Sequence, residues 1–354
     1  MPNEGEYCSS SSISDDCDAK KRQFLRNGLL ALTLKYLTVL GFPPKRIGIV
    51  VVLTNNTKQD AYTIALESVK CYSKIQGYHF IIAIDSEYDC KQKDKFFRRH
   101  CVVSRILPNY DAVLFLDADM GVVNPKKKIE EYMSDGIDVT FYSRFYNWEI
   151  AAGSYIAKNT PFAIDLLKKF ADYELQLPKS FSGSDNGAIH IFLAEQLFPE
   201  ASMEIEMCRK VYNKSKNYDD LFTYEACIKN IFGSGTDFGK VRIMRKRTAW
   251  ARDCWLTSCQ WNPQSDFFLH GWKTGQLRNT PKNSTKPVQM GRAQWYNPIN
   301  GEFDLARCHS ANSSWSYDPI LEGSLYEITQ SLKQFQERVA VQQQKSMARI
   351  VNFL

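Results

Sequence analysis

Two aspartates, Asp117 and Asp119, stand one residue apart directly after the apolar run at residues 112–116. Two carboxylates with this spacing at the end of a buried strand can hold a divalent cation, whose open positions take phosphate oxygens. Such a cation neutralises the charge that develops on a phosphate leaving group. The alternative is that the pair only caps the turn. Asp16 and Asp18 have the same spacing but no strand before them, so the preceding strand makes us favour the metal interpretation.

A histidine follows a second apolar segment, in the sequence DFFLHGWK at residues 266–273. His270 is a suitable ligand for a borderline metal such as manganese. Gly271 allows a close backbone approach, and Lys273 offers a point charge to a diphosphate. A histidine at the end of a strand is more often structural, so this segment has a catalytic meaning only if the fold brings His270 to Asp117 and Asp119.

Two further segments carry small and polar residues. Asp185 lies in SGSDNG at residues 182–187, directly before a mostly apolar helical pattern. Because Ser and Asp are preferred at helix N-caps, we favour a cap there; the functional alternative places Asp185 in a sugar pocket as an acceptor or nucleophile. Gly153 and Ser154 end the loop at residues 148–154, which suits either a ligand close to the backbone or a tight turn.

The elements that must position these residues alternate between strand and helix. Apolar, β-branched runs predict strands at residues 47–53, 80–84 and 112–116, with helical patterns between them. This succession predicts an α/β fold with a parallel sheet and right-handed crossovers. Ligands bind beyond the carboxyl ends of such strands, where Thr54, Asp85, Asp117 and Asp119 all fall.

Composition and charge exclude several classes of protein. The chain has 354 residues, 44% of them hydrophobic and 24% charged, with a net charge of +6. This is ordinary globular usage. The basic residues form short runs at 20–22, 126–128 and 245–247 and no continuous stripe, which argues against a nucleic-acid partner.

Cysteines and sequons favour the secretory pathway. Eight of the ten cysteines lie beyond residue 22, an even number as disulfide pairing requires, and no C-x-x-C motif is present. Four N-glycosylation sequons begin at Asn55, Asn213, Asn283 and Asn312. The pairing of the cysteines is left open.

The two ends of the chain differ from the α/β region. Residues 1–22 are predicted to form a disordered leader, and residues 23–43 either a signal-anchor-like segment or an amphipathic helix. The apolar stretch at 28–42 contains Lys35 and is shorter than the roughly 20 residues that span a bilayer. Residues 45–316 are predicted to form the main domain and 317–354 a C-terminal helix with one apolar seam, packed on the domain or on a partner.

Four segments, in this order, resemble the GT-A nucleotide-sugar glycosyltransferases. They are YDAVLFLDAD (110–119), EIAAGSY (149–155), GSDNGA (183–188) and FLHGWK (268–273). The motifs are similar to those of the α-galactosyl- and xylosyltransferases of glycosyltransferase family 34, and still closer to an uncharacterised glycosyltransferase-like family with only a domain-of-unknown-function label. The resemblance covers about residues 47–273.

The resemblance implies a GT-A fold: a Rossmann-like, mostly parallel sheet with helices on both faces. It implies Mn²⁺- or Mg²⁺-dependent transfer of a hexose or pentose from a UDP-sugar to a glycan or glycoprotein. Together with the cysteines and sequons, we expect a type II membrane or secreted protein of the Golgi lumen. The residue roles that it implies are a metal site at Asp117, Asp119 and His270, a leaving-group contact at Lys273, a donor-sugar contact at Gly153 and Ser154, Asp185 facing the reacting carbon, Asp117 and Ala118 at the nucleotide sugar, and Thr54 and Asp85 near the nucleoside.

The sequence departs from the family 34 pattern at two places. Asn186 stands where those enzymes usually have Gln after the Asp, and the last motif is contracted to HGWK. Two alternative functions remain at this stage. One is an inactive carbohydrate- or nucleotide-sugar-binding protein of the same fold, in which the clustered tryptophans stack on sugars. The other is a haloacid-dehalogenase-type phosphatase, whose motif would have Thr or Val where Gly121 stands.

Overall fold

The computed structural model describes residues 45–284, 293–309 and 314–354. The predicted leader and the segment at 23–43 lie outside these residues, as does Asn312. Within them the strands are β1 (Ile47–Leu53), β2 (His79–Ile84), β3 (Ala112–Leu116), β4 (Met120–Val122), β5 (Val139–Tyr142), β6 (Ser154–Lys158), β7 (Asp237–Phe238), β8 (Val241–Met244), β9 (Ala251–Asp253), β10 (Phe268–His270), β11 (Leu277–Arg278) and β12 (Trp295–Tyr296).

The central sheet has seven strands in the order β2-β1-β3-β6-β5-β8-β7. Strands β1, β2 and β3 are parallel, as are β5 and β8, whereas β6 and β7 run antiparallel to their neighbours. The three strands predicted from apolar runs are therefore present and adjacent. Strands β1 and β3 are buried, whereas the edge strand β2 is only partly buried. This sheet with helices on both faces confirms the prediction of an α/β fold with a mostly parallel sheet.

Seven α-helices surround the sheet: α1 (Thr63–Gln76), α2 (Lys95–Ile106), α3 (Pro161–Asp172), α4 (Ser184–Leu197), α5 (Ser202–Lys214), α6 (Tyr218–Phe232) and α7 (Leu325–Arg349) in the described part. Helices α2 to α6 share one apolar cluster with alternate residues of the sheet, such as Val113 and Phe115. Helix α1 packs on the opposite face with Leu114 and Leu116. Strands β1 and β3 therefore contribute to two cores, which is why their sequences are apolar without alternation.

A second, three-stranded sheet brings the distant histidine segment to the end of β3. Strand β10 pairs antiparallel with β4 and parallel with β9, and His270 lies opposite both Met120 and Asp253. Gly121 in β4 leaves space for Trp272, since a Cβ atom at this position would lie 1.9 Å from the indole ring. The contracted HGWK motif is thus fixed in place by strand pairing and by this close contact.

The eight cysteines beyond residue 22 form four disulfides, Cys71–Cys308, Cys90–Cys101, Cys208–Cys227 and Cys254–Cys259. The C-terminal helix α7 packs on the domain of its own chain: Ile328 and Leu332 contact Phe145, and Val339 lies with Trp148. In the described part of the chain, no helix has the length and apolar character needed to cross a membrane.

Candidate metal and donor site

Asp117, Asp119 and His270 meet at the carboxyl end of β3. One ligand atom from each lies within 4.8 Å of the others. The backbone makes the meeting specific, since the N–H groups of Gly271 and Trp272 donate to the carbonyl oxygen of Asp119 at 2.9 and 2.8 Å. The fold therefore brings His270 to Asp117 and Asp119, which is the condition for a functional role of the histidine segment.

The imidazole of His270 lies between two carboxylates. Its Nε2 is 3.3 Å from Asp119 Oδ1, and its Nδ1 is 3.0 Å from Asp253 Oδ1. Although burial alone favours the neutral ring, these two negative charges raise the pKa of His270 to about 10. Burial likewise opposes ionisation of Asp119, but the charges of His270 and Lys273 lower its pKa to about 2. The two shifts have one cause, since the ring and the carboxylates are close enough to stabilise one another's charged forms.

Lys273 is placed at the open side of this group. Its Nζ lies 3.7 Å from Asp119 Oδ2, and its side chain is 51% exposed, whereas the Asp119 side chain is only 10% exposed. The lysine can therefore reach solvent or a ligand while remaining near the acids.

Gly153 lies against the first acid. The amide N–H of Asp117 donates to the Gly153 carbonyl at 2.8 Å, and a Cβ at Gly153 would come within 1.9 Å of Asp117 Oδ2. Ser154 faces inward: it is fully buried and its hydroxyl accepts from Trp250 Nε1 at 2.9 Å. Ala118, between the two acids, is partly buried. The role of these three residues in donor binding stays a prediction.

Arg99 connects the acids to Asp185. Its guanidinium pairs with Asp117 Oδ1, and Nη2 and Nε donate to Asp185 Oδ2 at 2.6 and 3.1 Å. Asp185 is fully buried, and its Oδ2 also contacts His100 Nε2 at 3.1 Å. Among the described residues, Asp185 Oδ1 has no hydrogen-bond partner.

The N-cap interpretation of Asp185 was wrong. Helix α4 begins at Ser184, so Asp185 lies inside its first turn, and the cap is Gly183 with φ +66° and no side-chain hydrogen bond. A left-handed backbone favours glycine. Gly183 therefore occupies the cap position, where the sequence suggested a capping side chain.

Thr54 and Asp85 follow β1 and β2, at the same edge of the sheet. The Thr54 hydroxyl bonds to that of Thr57 at 2.8 Å. Asp85 is buried and accepts from Arg98 Nη1 at 2.8 Å. No hydrogen bond links either residue directly to the metal triad in the described structure, and their place near a nucleoside stays a prediction.

Three charged residues of the site were not predicted: Arg99, Arg144 and Asp253. Arg144 donates to Asp253 Oδ1 at 2.8 Å and to Glu149 Oε2 at 3.0 Å, so it holds the acid that orients His270. The one available signal was the basic helical segment around Arg99, where a charge stands among apolar residues that face the sheet.

Glu225 is fully buried and interacts electrostatically with Arg144 and Glu149. Its two carboxylate oxygens have no hydrogen-bond partner in the described part of the chain. Burial, reinforced by Glu149, raises the pKa of Glu225 well above its ordinary value. Since the folded state holds this proton more tightly than the unfolded state, stability falls as pH rises above the unfolded pKa.

Glu225→Gln should therefore raise the melting temperature at pH 8 more than at pH 5. The gain in unfolding free energy can grow by up to about 1.4 kcal/mol per pH unit. Thermal melts at the two pH values test this, with exposed Glu204→Gln as the control. An equal change at both pH values would contradict a buried, protonated carboxyl.

The fold and the site define an α/β protein with an acid–acid–histidine group at the carboxyl edge of its sheet. A family model described as "Protein of unknown function, DUF273" matches residues 69–287, and the chain belongs to that family. No curated protein gives a significant match.

Three solved structures similar to the chain are described as glycosyltransferases. One, involved in glycosylation of the major capsid of PBCV-1, is 17% identical, with 64% of this chain and 93% of that one covered and a TM-score of 0.38. GlyE of Streptococcus pneumoniae TIGR4 is 11% identical, with 53% and 63% covered and a TM-score of 0.30. The galactosyltransferase LgtC, solved with donor and acceptor sugar analogues, is 14% identical, with 77% and 97% covered and a TM-score of 0.27.

Proposed function

We propose that this protein is a metal-dependent glycosyltransferase that moves a hexose or pentose from a UDP-sugar to a glycan or glycoprotein acceptor. The observation that carries the proposal is the convergence of Asp117, Asp119 and His270 within 4.8 Å at the carboxyl edge of the sheet. This edge is where α/β proteins bind their ligands.

The three side chains fit a divalent cation. Two carboxylates and one imidazole suit Mn²⁺, and carboxylates also suit Mg²⁺. Asp253 holds His270 Nδ1 at 3.0 Å, so that Nε2 faces the acids, an orientation that a carboxylate behind a ligating histidine commonly fixes. The cation, when bound, would offset the charge that grows on the UDP diphosphate.

The chain's own residues would bind and orient the donor around that group. Lys273 is close enough to Asp119 to contact the diphosphate, and Gly153, which we propose contacts the donor sugar, makes room for the Asp117 carboxylate beside it. Arg99 holds both Asp117 and Asp185 in fixed positions. Asp185 Oδ1 is a buried acceptor without a partner in the described structure, which suits a hydrogen bond to a donor hydroxyl at the reacting end of the sugar.

The remaining parts of the proposal concern the nucleoside and the compartment. Thr54, Asp85 and Ala118 are proposed to border the nucleotide. We also propose that the chain is related to glycosyltransferase family 34. Four disulfides are consistent with an oxidising compartment. We propose that the protein acts in the secretory pathway, in the Golgi lumen.

A panel of UDP-sugars tests the function. The full chain is incubated with UDP-galactose, UDP-glucose, UDP-xylose and UDP-N-acetylglucosamine, with Mn²⁺ or with EDTA, and UDP release is measured beside a phosphomonoester control. Hydrolysis of one UDP-sugar with Mn²⁺ and none with EDTA is the expected result. Cleavage of the phosphomonoester alone would identify a phosphatase. Metal-dependent binding of a UDP-sugar without any turnover would identify an inactive member of the fold.

A further inference from the structure

An aromatic surface borders the metal triad on one side. The indole ring of Trp255 lies 5.6 Å from the His270 ring and 5.9 Å from the ring of Tyr146, measured between centroids. The clustered residues Trp250, Trp261 and Trp272 are at most 3% exposed and belong to the core, whereas Trp255 is partly exposed. Of the clustered tryptophans, Trp255 is therefore the one available to a ligand.

Tyr146 is exposed although its surroundings are not. From residue 139 to residue 157, Tyr146 is the one residue classed as exposed, at 41%, and its neighbours Phe145 and Asn147 are only 3% and 4% exposed. Its backbone N–H donates to Asp253 Oδ2 at 3.2 Å. The loop therefore directs one large ring outward and is tied to the residue that orients His270.

Several contacts fix this pair of rings, which we name the aromatic platform (Tyr146 and Trp255). Gly271 has φ +106°, and a Cβ there would lie 2.9 Å from the Trp255 ring, so the glycine makes room for the indole. The Cys254–Cys259 disulfide closes the turn that carries Trp255. The Arg144 guanidinium lies 5.8 Å from both ring centroids while it binds Asp253.

Strand order separates the platform from the proposed nucleoside side. Thr54 and Asp85 follow β1 and β2, which lie on one side of β3 in the sheet, whereas Tyr146 follows β5 on the other side. The parallel strands β1, β2, β3 and β5 all end at the same edge. A donor whose nucleoside lies at the ends of β1 and β2 would therefore leave the aromatic platform free to bind the acceptor.

We infer that the aromatic platform binds the acceptor as a pyranose sugar, an assignment that rests on the proposed function. A pyranose ring presents an apolar face of C–H groups and a rim of hydroxyls. Aromatic rings with one polar end, such as tyrosine and tryptophan, suit surfaces that are apolar on one side and wet on the other. The Arg144 guanidinium lies over both rings and its side chain is partly exposed, so Arg144 and the hydroxyl of Tyr146 can bind acceptor hydroxyls.

The test measures sugar binding without requiring catalysis. The full chain is titrated with the methyl glycosides of β-galactose, α-mannose, β-xylose and β-N-acetylglucosamine, and affinity is obtained by saturation-transfer NMR. Tyr146→Ala and the ring-removing Trp255→Leu should each weaken binding of the preferred glycoside by about tenfold, and Trp255→Phe by less. Tyr326→Ala, which removes a tyrosine 73% exposed on α7, is the matched control and should bind as the unaltered protein does.

The outcomes separate the platform from the proposed function. If Tyr146→Ala and Trp255→Leu, with unchanged melting temperatures, bind glycosides as the unaltered protein does, the platform is overturned. It is overturned as well if no glycoside binds while a UDP-sugar is hydrolysed with Mn²⁺. Binding that depends on the two rings, in a protein that hydrolyses no UDP-sugar, would retain the platform and refute the transferase.

Discussion

Asp119→Asn is expected to reduce Mn²⁺-dependent UDP-sugar hydrolysis by at least about 10²-fold. The substitution removes a charged oxygen from a group whose ligand atoms lie within 4.8 Å of one another. Weaker binding of the cation would remove several kcal/mol of electrostatic stabilisation of the charge that develops on the leaving diphosphate. The measurements are UDP release and Mn²⁺ affinity by calorimetry, and both should fall together.

The fold should survive this change. In EDTA the His270 ring loses one of its two acidic neighbours but keeps Asp253 at 3.0 Å, so we expect the melting temperature to fall by only a few degrees. Asp165→Asn, at a carboxylate 60% exposed on α3, is the control and should retain full activity. A variant of Asp119 that hydrolyses the donor at the normal rate would refute the metal site.

Gly153→Ala should reduce donor turnover by about 10²-fold through a steric effect. The new Cβ would lie 1.9 Å from Asp117 Oδ2 and 2.6 Å from its Cγ, so the carboxylate must move. Asp117 is also held by Arg99, and the displacement therefore disturbs Asp185 through the same guanidinium. A misplacement of about 1 Å in a catalytic site can cost this much.

The loss should fall on function more than on stability, because the clash is with a short side chain at the edge of the sheet. Gly275→Ala is the matched control, since a Cβ there meets nothing within 4 Å. Steady-state kinetics and a thermal melt of both variants decide the matter. Normal turnover by Gly153→Ala would mean that Asp117 has no part in the reaction.

The sequence was sufficient to predict the parallel strands. Strands β1 and β3 are buried on both faces, so nearly every residue in them is apolar, and the polar residues Thr54 and Asp117 mark their ends. The donor-sugar role of Gly153 stays a prediction, since the structure shows only that this glycine lies against Asp117.

The rest required tertiary structure. The meeting of His270 with Asp119 depends on the pairing of β10 with β4, which joins segments about 150 residues apart. Arg99 and Asp253 are charged residues whose burial depends on partners elsewhere in the chain, and a charge within a helix or strand pattern ordinarily indicates a solvated face. The cap at Gly183 was missed because its positive φ is a property of the folded backbone.

Disulfide pairing is a further case in which spacing is insufficient, since eight cysteines allow 105 connectivities. Three of the observed pairs are local, with separations of 5, 11 and 19 residues, but Cys71–Cys308 spans 237 residues. That last pair becomes evident only when α1 and the segment near residue 308 are seen to lie side by side.

Helix α7 has a consequence for where this protein can be divided. Ile328 and Leu332 cover Phe145, and Val339 covers Trp148, so the helix supports both flanks of the loop that presents Tyr146. A protein that ended at residue 316 would lack this helix, and the apolar side chains of Phe145 and Trp148 would become exposed to solvent. We therefore expect residues 317–354 and the domain on which they pack to unfold in one cooperative transition.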